Sequence, residues 1–244
     1  MTPDVASPRL LFLHVMKTAG TTFVKQLQAN VEPGDFYPDL EPGADRRDAY
    51  RLIPNLREYL RKGGTARVFA GHFPAAVIDI VRPDVTMTVL REPVERTISI
   101  LRHHQRLNER LSGASLEEIY EDGWVRPMFV QDHQAKVFAM TSTDRLDSFM
   151  DVLEVDEPRL ELAKRNLERV DLVGLTERYD DFVDLVEERL GWPSGPSPKL
   201  NVTPEGAEVP DGLRQRIAEE NPADIAFYEH AVELVAARRP TRTP

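Results

Sequence analysis

The chain has 244 residues, 41% of them hydrophobic and 30% charged, which predicts a soluble globular protein with one domain spanning 1–244. It contains no cysteine, which excludes disulfides, thiolate metal ligands and cysteine nucleophiles. The formal net charge of −10 gives little electrostatic support for binding nucleic acid or an anionic membrane, so we expect neither partner. The apolar run near the start of the chain is too short for a signal peptide or a membrane span, which predicts cytoplasmic residence.

Hydrophobic periodicity predicts an α/β fold. Apolar runs predict strands at 9–15, 66–71, 84–90 and 171–175. Helical spacing predicts helices from Thr21, over about 46–61, from Pro93 to about Leu107, through much of 115–170, over 179–190 and twice near the end. Stretches rich in proline and glycine predict loops at 32–44 and 191–210. This order predicts a central, mainly parallel sheet flanked by helices, with ligands bound outside the carboxyl ends of the strands.

The loop after the first predicted strand has the residue types of an anion site. Lys17-Thr18-Ala19-Gly20-Thr21-Thr22 combines a cation, small residues and hydroxyls at the start of a helix. Backbone N–H groups at such a turn can converge on an anion. In a Walker A loop the lysine follows the last glycine, whereas Lys17 precedes Gly20, which disfavours kinase chemistry.

A second motif follows the strand at 84–90. Arg91 comes at the strand end, Glu92-Pro93 begins a helix, and Ser99 lies about two turns into that helix. A guanidinium from the strand end and a hydroxyl from the helix can approach one phosphomonoester. Taken alone, an arginine and a serine at this spacing favour a solvated helix face.

Together these segments resemble the PAPS-dependent sulfotransferases, in particular the group of heparan sulfate 2-O-sulfotransferase and its bacterial relatives; PAPS is 3'-phosphoadenosine 5'-phosphosulfate. LLFLHVMKTAGTTF resembles the family's phosphosulfate loop, with Met16 in place of a proline. REPVERTIS resembles R-[DE]-P-x-x-R-x-x-S, and 129–139 resembles a further family helix, with Asp132 in place of an asparagine.

The resemblance implies a P-loop-like domain and assigns roles to particular residues. Lys17, Thr18, Ala19, Gly20, Thr21 and Thr22 would bind the phosphosulfate, and Arg91 with Ser99 would bind the 3'-phosphate. The implied reaction moves a sulfuryl group from PAPS to a hydroxyl or amine of a small-molecule or carbohydrate acceptor. It releases PAP (3'-phosphoadenosine 5'-phosphate) and uses no metal.

His72 is the candidate general base. It follows Gly71 directly after the second predicted strand, at the edge where the donor is expected, and histidine has a suitable pKa. The 2-O-sulfotransferase group has His-Gly-His at this place, whereas this chain has Ala70 at the first position. We therefore expect His72 to accept the acceptor's proton and Lys17 to stabilise the departing phosphate.

Three alternatives stay open at this stage. A carboxylate could replace His72 as the base, leaving that histidine a structural residue of the turn. The chain could instead be a small-molecule kinase of the P-loop type, or a PAP-binding module without turnover. The acceptor and the oligomeric state cannot be deduced from these motifs.

Overall fold

The computed structural model describes residues 8–38, 52–144, 148–192 and 208–238. Its centre is a five-stranded sheet in the order β2-β3-β1-β4-β5, and all four pairings between neighbouring strands are parallel. The strands are β1 (Leu10–Leu13), β2 (Phe36–Tyr37), β3 (Val68–Gly71), β4 (Val85–Leu90) and β5 (Leu172–Leu175). The expected α/β fold with a central parallel sheet is confirmed.

Ten α-helices are present in the described residues. They are α1 (Gly20–Ala29), α2 (Ile53–Arg61), α3 (Ile78–Val81), α4 (Pro93–Leu107), α5 (Leu116–Tyr120), α6 (His133–Ala139), α7 (Glu157–Glu168), α8 (Tyr179–Leu190), α9 (Asp211–Glu220) and α10 (Pro222–Arg238). A π-helical segment covers Arg126–Val130.

Helices cover both faces of the sheet, and β1 is therefore buried on both sides. Leu10 and Phe12 pack into one apolar cluster with α1 and α8, whereas Leu11 and Leu13 pack into the larger cluster on the opposite face. This alternation explains why β1 appears in the sequence as a continuous apolar run. Because β1 is the central strand of the five, His14, which directly follows it, lies in the middle of the sheet's carboxyl edge.

The prediction of a loop over 32–44 is wrong at Phe36–Tyr37, which form β2 beside β3. A strand of two residues in a proline-rich stretch is too short to show a hydrophobic periodicity. Only its pairing with Val68 and Phe69 reveals it. The prediction of helix through much of 115–170 holds in several short pieces, but the described part of 140–156 has none. The predicted helix at 46–61 is observed from Ile53, and the first residues of that prediction lie outside the described residues. Most of the predicted loop at 191–210, residues 193–207, also lies outside the described residues.

Candidate active site

The loop between β1 and α1 has the backbone of an anion site. Lys17 and Ala19 both adopt left-handed conformations, with φ of 68° and 66°. Such conformations are costly for residues with a Cβ and concentrate at functional sites. Helix α1 begins directly afterwards at Gly20 and has no acidic residue in its first turn. Its N–H groups and its dipole therefore favour a negative ligand at this point.

The hydroxyls of this loop differ in what they do. The Thr18 side chain is fully buried and its hydroxyl donates to the carbonyl of Val15 at 2.9 Å, so it braces the turn. Thr22 is buried, whereas Thr21 is exposed. Of the three predicted hydroxyls, that of Thr21 is thus the most accessible to a ligand.

Two arginines from the second motif hold the loop from the side of β4 and α4. Nη1 of Arg91 donates to the Lys17 carbonyl at 3.4 Å, and Nε of Arg96 donates to the Met16 carbonyl at 3.2 Å. Arg96 is completely buried and also donates to the Phe129 carbonyl at 2.7 Å. The two motifs, distant in sequence, therefore form one structure, in which Arg96 is a brace.

The backbone of Arg91 is clamped by a side chain from α6. The Gln134 amide accepts from the Arg91 N–H at 3.0 Å and donates to the Arg91 carbonyl at 2.8 Å. The carboxylate of Glu92 caps α4 by accepting from the N–H groups of Val94 and Glu95. These contacts fix the direction in which the Arg91 side chain leaves the strand.

The structure brings Arg91 to the Lys17 loop but does not join it to Ser99. Ser99 is largely buried on α4, one turn after Arg96, and among the described residues no hydrogen bond connects it with Arg91. Nη2 of Arg91 instead lies 3.9 Å from Oε2 of Glu95. Binding of one phosphate by Arg91 and Ser99 stays a prediction.

His72 is held in one tautomer. Its Nδ1 lies 2.6 Å from the carbonyl oxygen of His14, and because a carbonyl only accepts, Nδ1 carries the hydrogen. In the neutral ring Nε2 is then left as the acceptor. Burial lowers the pKa of His72 below its usual 6.5, while the hydrogen bond to His14 opposes that shift. Near neutral pH the ring is therefore uncharged and able to take a proton.

The His14 side chain lies between the base and the loop. Its ring is 4.2 Å from that of His72, and burial lowers its pKa well below 6.5, with further contributions from His72 and Lys17. A Cβ placed on Gly20 would lie 2.0 Å from Cδ2 of this ring. Gly20 is therefore needed because His14 occupies the space that any larger residue would fill.

Lys17 sits among like charges. Burial lowers its pKa, and the positive charges of Arg106, Arg91 and Arg96 lower it further. Within the described ranges, no group of three histidine or carboxylate side chains is arranged to hold a metal ion. No helix in the same ranges has the length and apolarity needed to span a membrane.

Sequence reasoning did not predict the contacts that three residues of this site make: Arg96, Gln134 and the ring of His14. Each carries a sequence signal, since Arg96 is the second arginine of the R-E-P-x-x-R pattern, Gln134 lies in the segment resembling a family helix, and His14 directly precedes the loop. Their contacts are with backbone carbonyls and with a glycine, which no residue spacing reveals.

Comparison with known proteins identifies relatives of one kind. The chain is 26% identical to human heparan-sulfate 6-O-sulfotransferase 1 over 94% of its own length, and 27% identical to the Gallus gallus protein over 91%. It spans 66% and 64% of the lengths of these two relatives. Their names specify 6-O transfer, whereas the motifs above resembled the 2-O group. No family model matches the chain.

A solved structure shares the fold. The crystal structure of a sulfotransferase from Alicyclobacillus acidocaldarius aligns with a TM-score of 0.50, covering 96% of this chain and 100% of that one, at 18% identity. This likeness supports the P-loop-like arrangement of the sheet and helices.

Proposed function

We propose that this chain, which belongs to the sulfotransferase family, transfers a sulfuryl group from PAPS to a hydroxyl or amine of a carbohydrate or other small-molecule acceptor. The observation that carries the proposal is the meeting of the two motifs at one sheet edge, where Arg91 donates to the Lys17 loop beside a histidine with an open acceptor nitrogen. A carbohydrate acceptor is supported by the names of the relatives.

The residues of this edge fit a donor with two anionic ends. The start of α1, which lacks acidic residues, and Lys17 suit the phosphosulfate. Arg91 and Ser99 remain the proposed ligands of the 3'-phosphate, the group that distinguishes PAPS from ATP.

In the proposed reaction, the hydroxyl oxygen or amine nitrogen of the acceptor bonds to the sulfur of PAPS. As this bond forms, Nε2 of His72 takes the proton from that oxygen or nitrogen. The bond between sulfur and the bridging phosphate oxygen breaks, and PAP departs with the additional negative charge. Lys17 and the N–H groups of the loop stabilise that charge. A lysine whose pKa is lowered by burial and by neighbouring cations is stabilised most when negative charge develops beside it.

Nucleotide binding tests the donor. Calorimetry should show PAP binding at least tenfold more tightly than AMP, as expected for the loss of charged hydrogen bonds to the 3'-phosphate. Arg91→Ala should reduce that difference. Equal affinities for PAP and AMP in the wild type would overturn the donor assignment, and a preference for Mg·ATP would favour the kinase alternative.

Three further statements belong to the proposal. Turnover without a metal, residence in the cytoplasm and the lack of a nucleic-acid or membrane partner are expected from the sequence. A PAP-binding module without turnover would retain nucleotide affinity but give no sulfated product.

A further inference from the structure

The guanidinium of Arg91 lies between the Lys17 loop and a carboxylate. Its Nη1 donates to the Lys17 carbonyl at 3.4 Å, whereas its Nη2 lies 3.9 Å from Oε2 of Glu95. The second distance is that of an ion pair and is too long for a hydrogen bond. Among the described residues, Nη2 therefore has a charged neighbour but no hydrogen-bond acceptor, and it can still donate to the oxygen of a bound phosphate.

The other oxygen of this carboxylate is held from a distant part of the chain. Oε1 of Glu95 accepts from Nη1 of Arg214 at 2.6 Å, and Arg214 lies near the start of α9. The backbone of Glu95 is fixed as well, because its N–H donates to the Glu92 carboxylate that caps α4, at 2.8 Å. Only the side chain of Glu95 can therefore turn from one arginine to the other, and it is hydrogen-bonded to Arg214.

Helix α9 presents Arg214 from a fixed position. Leu213 and Ile217, on either side of Arg214 in the sequence, are buried in the larger apolar cluster of the protein. Near the end of the helix, Glu220 accepts from the Tyr120 hydroxyl of α5 at 3.0 Å. Arg214 can therefore hold a carboxylate in place rather than move with it.

Glu95 and a 3'-phosphate are rivals for the guanidinium of Arg91. Both are oxyanions, and a guanidinium offers its parallel donors to either. The Glu95 side chain is partly exposed, so a small rotation would bring Oε2 from 3.9 Å to hydrogen-bond distance from Arg91. Such a closed pair would have to open each time the donor binds, which lowers the apparent affinity of any ligand that needs Arg91.

We propose that Arg214 is a positioning residue for the 3'-phosphate: it holds the Glu95 carboxylate away from Arg91 and so keeps that guanidinium open to the phosphate. The proposal rests on the proposed function and adds a residue to the 3'-phosphate site of the same reaction. Arg214 acts through Glu95 and not by contact with the donor. Its removal should therefore matter only while residue 95 carries a carboxylate.

The test is a double-mutant cycle read by calorimetry. The affinities for PAP and AMP are measured in the wild type, Arg214→Gln, Glu95→Gln and the double variant. AMP lacks the 3'-phosphate, so its affinity reports any general damage to the nucleotide site. Arg61→Gln is the matched control, because it breaks an exposed ion pair with Glu58 on α2.

In Arg214→Gln we expect PAP to bind about tenfold more weakly, as for the loss of one charged hydrogen bond, because Glu95 then competes for Arg91. The affinity for AMP should not change. Glu95→Gln should alter PAP affinity less than about twofold in the wild-type background, but should raise it about tenfold in the Arg214→Gln background. Arg214→Lys, which keeps a cation for Glu95, should retain most of the affinity, and Arg61→Gln should match the wild type.

Three results would overturn the inference. Equal effects of Glu95→Gln in both backgrounds would mean that the two charges act on the phosphate independently. A double variant that binds PAP as weakly as Arg214→Gln would make Arg214 a direct ligand. Weaker PAP binding by Glu95→Gln alone would show that Glu95 supports Arg91, and this result decides even if Arg214→Gln does not fold.

The same titrations separate this inference from the proposed function. A wild-type protein that binds PAP no more tightly than AMP would refute the assignment of the donor, whatever the variants show. A wild type that prefers PAP, with the same preference in Arg214→Gln, would leave the donor assignment standing and refute the role of Arg214.

Discussion

At the scale of single residues, His72 owes its proposed role to one hydrogen bond. Donation from Nδ1 to the His14 carbonyl leaves Nε2 unprotonated, and burial keeps the ring neutral by lowering its pKa. A base in this state needs no activation above about pH 6.5, because it loses its acceptor nitrogen only when the ring is protonated.

We therefore predict that His72→Ala lowers kcat by roughly 10²–10⁴-fold while the affinity for PAP stays nearly unchanged. The wild-type rate should be level above pH 6.5 and fall below it, since acid protonates Nε2. Rates at several pH values and calorimetry with PAP measure both effects. His230→Ala, a histidine on α10 paired with Glu168, is the control. Near-normal turnover in His72→Ala would mean that a carboxylate is the base.

The contact of Gly20 with His14 gives a second prediction at this scale. The His14 ring cannot easily move, because it packs between the rings of Phe12 and His72. Gly20→Ala should therefore displace the start of α1 and weaken PAP binding by about tenfold or more.

A second substitution tests whether this contact is the cause. His14→Ala removes the ring but keeps the carbonyl that His72 needs, so the double variant should recover part of the lost affinity. Gly113→Ala is the control, because a Cβ there meets nothing within 4 Å. Calorimetry measures the affinity for PAP of Gly20→Ala, of the double variant and of Gly113→Ala. No recovery in the double variant would show that Gly20 is required for another reason.

At the scale of elements, α6 and α10 cap each other. The N–H of Asp224 donates to the Asp132 carboxylate at 2.9 Å, and the N–H of Ala135 donates to the Asp224 carboxylate at 2.8 Å. Asn221 accepts from the N–H of Asp132 at 2.9 Å. Since α6 also carries Gln134, this junction positions the clamp on Arg91.

Asp224 should make stability depend on pH. Burial raises the pKa of its carboxyl to about 7, although the charge of Arg96 opposes this. Between about pH 4 and pH 7 the folded protein thus holds a proton that the unfolded chain has lost, and stability falls as pH rises. Asp224→Asn should remove this contribution, which amounts to at most about 1.4 kcal/mol per pH unit.

Thermal melts of both proteins from pH 4.5 to pH 7.5 measure the difference. The melting temperature of the wild type should fall relative to that of Asp224→Asn as pH rises across this interval. Asp211→Asn, which changes an exposed carboxylate at the start of α9, should follow the wild type. Parallel curves for wild type and Asp224→Asn would contradict a raised pKa for Asp224.

The elements that the sequence predicted well are those with their own end signals. Helix α4 begins at Pro93 and ends at Leu107 as predicted, and α8 ends before Gly191, which has a φ of 66°. The break before α6 was not predictable, because Asp132 is held in a left-handed conformation by hydrogen bonds with Asn221 and Asp224, which are distant in sequence. The strand β2 was missed for the same kind of reason, since pairing alone defines it.

For the candidate site, the sequence indicated which loops would meet but not how they are held together. The strand-end positions of Lys17, His72 and Arg91 follow from a parallel sheet. The complete burial of Arg96 does not follow, because the spacing of residues along α4 does not show which of its charged side chains the rest of the protein covers. The Met16 and Phe129 carbonyls accept from Nε and Nη2 of this buried guanidinium, whereas its Nη1 has no hydrogen-bond partner among the described residues.

At the scale of the whole molecule, an acidic protein concentrates positive charge at one edge of its sheet. The net charge is −10, yet the positive charges of Arg106, Arg91 and Arg96 all act on Lys17. Such a local cluster attracts an anionic donor without general affinity for polyanions.

The most direct test of the central claim is transfer of ³⁵S from labelled PAPS to an acceptor in a carbohydrate and metabolite extract. We predict a labelled product and an equal amount of PAP with the wild type, and neither above background with a Lys17→Ala/His72→Ala double variant that still folds. PAP formation equal to that of the double variant, or label that never leaves PAPS, would contradict sulfuryl transfer by this protein.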